Sequence, residues 1–177
     1  MKKYLSIYLY GAIIIFAGVF LLFSEYTSFD TLKLTIGISL TIAAIFSSIS
    51  ALSSRKSHVE FAYHEMHALA MLVYGVSVLL FCKTLETLTS LTAFLFIFYS
   101  FSEFIFCLRL FDLGKKVVLK IIIVRLVLGL AIGVGTIVAM NVSEFTLEGF
   151  GILFIMVGLN IMLYAPIMKN NKLNNIS

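Results

Sequence analysis

The stretch Leu9-Tyr10-Gly11-Ala12-Ile13-Ile14-Ile15-Phe16-Ala17-Gly18-Val19-Phe20-Leu21-Leu22-Phe23 contains no charge and no proline. A transmembrane strand alternates apolar and polar positions over about ten residues, and this run does not alternate. At 1.5 Å per residue, a helix needs about 20 apolar residues to cross roughly 30 Å of hydrocarbon. The stretch therefore reads as the core of a membrane-spanning helix from Tyr4 to Phe23. Lys2-Lys3 followed by an apolar run also opens many signal peptides. Here the run exceeds the usual h-region and no small-x-small site follows Phe23, so it is expected to stay as a first span.

Five further apolar runs follow, at Thr31–Leu52, His67–Phe81, Thr87–Leu108, Val117–Met140 and Leu147–Met168. The third is short, so it either extends through Cys82 or begins inside the loop before it. Over the whole chain of 177 residues, 61% are apolar and 12% charged, against roughly half and a quarter in a soluble domain. Such an excess leaves too little polar surface to face water. The expected fold class is all-α, an integral membrane bundle forming a single domain, with a short polar tail at 169–177.

The charges between the runs give an orientation. Lys2, Lys3, Arg55, Lys56, Arg109, Lys115, Lys116, Lys169 and Lys172 fall at one end, against Lys33 and Lys83 at the other, where Glu25, Asp30, Glu86, Glu144 and Glu148 gather. Lys and Arg in short loops stay cytoplasmic. Both termini are thus expected in the cytoplasm of a cell (inner or plasma) membrane protein. The net charge of +4 arises from these clusters and forms no basic, aromatic-studded stripe for nucleic acid. Cys82 and Cys107 fall near opposite faces, too far apart to bridge.

Alternate runs repeat with a period of about 57 residues. Phe29-Asp30-Thr31-Leu32, Leu85-Glu86-Thr87-Leu88 and Phe145-Thr146-Leu147-Glu148 each join an acid and a Thr at the acidic end. Small residues follow in step: Gly37, Ala93 and Gly151, then Ala44, Ser100 and Gly158. Gly18, Gly75 and Gly133 mark the other three runs. Each unit holds an even number of crossings, so the copies, near 4–56, 60–112 and 117–168, are parallel hairpins about an axis along the membrane normal.

The pattern Tyr10-Gly11-Ala12-Ile13-Ile14-Ile15-Phe16-Ala17-Gly18-Val19, the three hairpins, and Gly37-Ile38-Ser39-Leu40-Thr41-Ile42-Ala43-Ala44 resemble the HdeD family of small bacterial membrane proteins. The resemblance runs over roughly residues 4–168. It implies six helices, a non-enzymatic role and an association with acid or envelope stress, and it supplies no catalytic residues. The chain departs from that pattern in its short third run and in lacking a proline at the acidic-end turns.

Lipid tails are as apolar as Leu, so helices in a bilayer pair through small residues that let backbones approach. Ser39, Ala43, Ser47 and Ala51 recur every four positions on the second run, Gly129 and Gly133 pair on the fifth, and Gly151 and Gly158 lie on the sixth. They are read as intramolecular packing, with a homo-oligomer or a membrane-protein partner as the alternative use of such stripes.

A charge at mid-membrane costs at least about 2.5–3.5 kcal/mol. Glu103 and Arg125 are the deepest charges of each sign, and the expectation is a buried ion pair between the fourth and fifth runs. Lys120 is shallower and expected to snorkel to the interface. Asn160, Ser100 and Ser102 are expected to line a polar centre with Glu103. The segment from Ser57 to His67 holds all three histidines and reads as an interfacial amphipathic loop. If helical, it would put Glu60, His64 and His67 on one face, where they could bind a metal or respond to pH. No nucleophile elbow, phosphate loop, dinucleotide fingerprint or zinc-protease spacing occurs, so no catalytic residue, cofactor or metal is expected. The favoured function is a non-enzymatic membrane protein, and the runner-up is a small transporter or channel using Glu103 and Arg125.

Overall fold

The computed structural model of the protein describes residues 2–53, 58–112, 119–141 and 147–166, and all of its elements there are helical. They are α1 (Lys2–Leu22), a 3-10 turn (Ser24–Tyr26), α2 (Phe29–Ser53), α3 (His58–Phe81), α4 (Leu85–Asp112), α5 (Leu119–Asn141) and α6 (Leu147–Met162). All six α-helices are long and apolar enough to cross a membrane. The lysines at 169 and 172 and most of the connection at the basic end lie outside the described residues.

The markers at the acidic end have a local cause. Ser28 Oγ accepts the Thr31 amide at 3.3 Å, and Thr84 Oγ1 accepts the Thr87 amide at 3.2 Å. Each satisfies an amide that the first turn of a helix would otherwise leave bare. Asp30, Glu86 and Glu148 sit in the first turns of α2, α4 and α6, where a carboxylate meets the positive end of the helix dipole. At the other end, the α6 helix breaks at Leu163 before a further helical turn over 164–166. Pro166 explains the break, since its ring crowds the carbonyl four residues earlier, that of Met162, and it has no amide to give.

The third span takes one of its two expected extensions, beginning inside the segment before it. Helix α3 begins at His58 rather than His67, so the histidine-bearing segment is no interfacial loop. His64 and His67 are buried in the bundle. Amphipathic spacing alone does not separate a helix lying on the interface from one entering the core. Burial of the His64–His67 face decides it.

Each helix packs on the next in sequence, and α6 returns against α1, closing a ring. The closest approaches run through small residues. A Cβ on Gly18 would stand 2.6 Å from the Gly151 carbonyl oxygen, and one on Gly158 would stand 2.6 Å from that of Gly11. A Cβ on Gly75 would lie 2.8 Å from the Gly37 oxygen. These are backbone-on-backbone crossings of α1 with α6 and α3 with α2, where a methyl has no room. Ser39, Ala43, Ser47 and Ala51 are all buried within the chain. The outer surface is greasy. Phe94 is 72% exposed and Phe101 65%, a covering that water would not tolerate over a whole bundle and that lipid tails accept.

Candidate functional site: a buried polar centre

In the half of the bundle nearer the basic end, polar side chains from α1, α3, α4, α5 and α6 meet inside the ring. Glu103 and Arg125 are both fully buried. Arg125 Nε donates to Glu103 Oε1 at 2.8 Å, and Nη2 donates to Oε2 at 2.8 Å. This fork is the strongest geometry open to a guanidinium and a carboxylate. Gly129, one turn beyond Arg125, makes the approach feasible, because a Cβ there would lie 2.9 Å from Glu103 Cγ.

Tyr63 completes the clamp. Its hydroxyl accepts from Arg125 Nη2 at 2.8 Å and donates to Glu103 Oε2 at 2.5 Å. The Cys107 thiol donates to Oε1 at 3.4 Å. A carboxylate has about four lone-pair positions, and four donors approach this one. The Arg125 guanidinium also lies 5.1 to 5.4 Å from the ring centres of Tyr63, Phe106 and Tyr164, an aromatic enclosure that favours a cation through the ring quadrupoles. The Tyr63 ring stacks on Phe106 at 4.0 Å, which fixes the hydroxyl in place.

Beside the clamp runs a second, neutral network. Ser102 Oγ donates to the Tyr99 carbonyl at 2.8 Å, so its single hydrogen is spent and it accepts from His67 Nε2 at 3.0 Å. His67 Nδ1 is then the acceptor for the Tyr10 hydroxyl at 3.2 Å. The network thereby assigns the neutral Nε2–H tautomer. Its last acceptor is a backbone carbonyl, which passes no proton onward. Asn160 Nδ2 donates to the Tyr99 hydroxyl at 2.9 Å. Two buried atoms of the centre, Arg125 Nη1 and Asn160 Oδ1, have no hydrogen-bond partner among the described residues.

The structure thus brings Glu103, Arg125, Ser102 and Asn160 into one centre. Ser100 lies elsewhere: it donates to the Gly129 carbonyl at 2.7 Å across the α4–α5 contact, where a Cβ on Gly133 would meet its Oγ at 2.5 Å. Lys120 is exposed, as snorkelling requires. His64 contributes its carbonyl, accepting from Ser47 Oγ at 3.0 Å. His58 and Glu60 have side chains outside the described residues, and no group of three metal-ligating side chains occurs among the described ones.

Sequence reading misses Tyr10, Tyr63, His67 and Tyr99 as members. A signal exists in hindsight: Tyr10, His67 and Arg125 stand 57 and 58 residues apart, the same spacing as the small-residue markers. Tyrosine in an apolar helix otherwise looks like packing.

The chain matches no protein-family model, no curated protein and no solved structure.

Proposed function

We propose that this chain is a non-enzymatic, multi-pass protein of the cell membrane, built from three parallel helical hairpins with both termini in the cytoplasm, and that its polar centre is a clamp that fixes the bundle. The observation that carries this reading is the saturation of Glu103: Arg125, Tyr63 and Cys107 fill its acceptor positions, leaving none for a passing cation. The hairpin reading draws support from the spacing of Tyr10, His67 and Arg125 by 57 and 58 residues and from the matching caps at Ser28 and Thr84. The cytoplasmic placement of the termini rests on the bias of Lys and Arg. A role in acid or envelope stress, of the HdeD type, rests on the resemblance of Tyr10–Val19 and Gly37–Ala44 alone.

A small transporter or channel is the second reading. One observation favours it: Arg125 Nη1 and Asn160 Oδ1 leave a donor and an acceptor open inside the bundle. Reconstitution into liposomes separates the two. The clamp reading expects no proton or solute flux above empty vesicles, and a Glu103→Gln protein that melts earlier in detergent. A flux carried by the native chain and lost in Glu103→Gln would overturn it. Reporter fusions at the two ends are expected in the same compartment.

A further inference from the structure

A second site lies on the outside of the ring, at the α2–α3 contact. These helices touch backbone to backbone at Gly37 and Gly75. Seven residues further toward the basic end, Ala44 and Ala68 form the floor of a groove of about 280 Å³ on the outer side of the same contact. The α1–α6 contact carries a different pair of small residues at this step. There the Gly18–Gly151 crossing is followed seven residues on by Gly11 and Gly158, again without room for a methyl. At the corresponding step α2 and α3 carry two alanines instead.

The groove has a head and a tail. Glu65, Ala68, Leu69 and Leu72 line it at i, i+3, i+4 and i+7 on one face of α3, opposite Ala44 and Ser48 of α2. Glu65 is exposed and lies near the start of α3, at the basic end, while Leu72 lies about 10 Å deeper. Ser48 Oγ donates to the Ala44 carbonyl at 2.9 Å, so the walls below Glu65 offer no free donor to an anion. The volume is near the lower limit for ligand pockets, about 300 Å³, and suits a chain segment rather than a bulky ring.

We propose that this groove seats a phospholipid whose headgroup carries a primary ammonium, from the leaflet at the basic end. The ammonium meets the Glu65 carboxylate, and one acyl chain lies over Ala44 and Ala68 against Leu69 and Leu72. Charge complementarity selects this occupant: a carboxylate repels an anionic head and binds an ammonium, which has three donors to give.

Native mass spectrometry of the full chain in detergent, with equal amounts of phosphatidylethanolamine and phosphatidylglycerol bearing identical chains, tests this. The protein is expected to retain the ethanolamine lipid about threefold more, the scale of one partly exposed ion pair. Glu65→Gln, at an exposed position, is expected to remove the preference without lowering the melting temperature. Leu69→Trp on the rim and Ala68→Leu within the groove are expected to reduce retention of both lipids. Equal retention by the native chain, or a preference that survives Glu65→Gln, would overturn the proposal. So would a native dimer that dissociates in Ala68→Leu, which would give the groove to a second copy.

Discussion

Arg125 of α5 meets Glu103 of α4 edge to edge, two parallel bonds of 2.8 Å joining side chains from which all solvent is excluded. A fork of this kind inside the bundle ties α5, the least buried of the six helices, to the rest of the ring. Other contacts of α5 are the Ser100 bond to the Gly129 carbonyl on α4 and the packing of Gly135 against Leu153 of α6.

Removing either partner leaves the other charge buried and alone. Glu103→Leu and Arg125→Leu are each expected to destabilise the bundle by about 3–5 kcal/mol. The double replacement should cost clearly less than the two together, because no uncompensated charge remains. Reversible unfolding in detergent measures the cycle. Additive effects would show that the pair has no energetic coupling.

Tyr63→Phe separates the hydroxyl from the ring. The stacking on Phe106 survives, while the bonds with Arg125 and Glu103 are lost. The expected loss is about 1.5–3 kcal/mol, the range for hydrogen bonds to charged groups, read from the same unfolding measurement. Tyr63→Leu, which also gives up the stacking, should be worse.

The glycines are predicted to differ sharply. A Cβ on Gly158 would press on the Gly11 carbonyl oxygen at 2.6 Å, which is rigid backbone, whereas one on Gly135 would meet only the tip of Leu153 at 2.9 Å. Gly158→Ala should therefore cost about 1–3 kcal/mol as overpacking. Gly135→Ala should be neutral or slightly stabilising, since Ala is the better helix former. Melting temperatures of the two proteins, side by side, check the contrast.

Cys82, just beyond α3, is buried, and its thiol donates to the Thr84 carbonyl at 3.5 Å. Burial pushes this thiol above its ordinary range, against the downward pull of Lys33. A raised value means less thiolate at neutral pH, and the thiolate is the reactive form. Maleimide labelling of Cys82 is expected to be slow at pH 7 and to keep accelerating at pH values where an exposed thiol has levelled off. A cysteine placed at the exposed Lys83 position provides the comparison. Both native cysteines are free, so labelling needs no reductant.

The six spans were legible in the chain because hydrocarbon imposes one local condition, about 20 apolar residues with every amide bonded within its own helix. Leu9–Phe23 meets that condition without reference to any other segment. The acidic-end markers were legible for the same reason, since caps and dipole contacts act within a single turn. The pairing of Glu103 with Arg125 could be anticipated, because two opposite charges at membrane depth on consecutive helices have few other partners. The shortness of the third run allowed an earlier start for α3, but the burial of its histidines could not be anticipated. Whether His64 and His67 face lipid headgroups or a core depends on what packs against them, and that contact comes from Tyr10 of α1, Ser47 of α2, Ser102 of α4 and Tyr164 just beyond α6. The same holds for Tyr10, Tyr63 and Tyr99, whose hydroxyls acquire roles only from side chains up to about sixty residues away. Composition and length determined the solvent, the helices and their number. Only the closed ring decided which polar groups share an interior, which tautomer His67 holds and where the outer groove along α2 and α3 lies, because those depend on non-local contacts that the local rules of a helix do not encode.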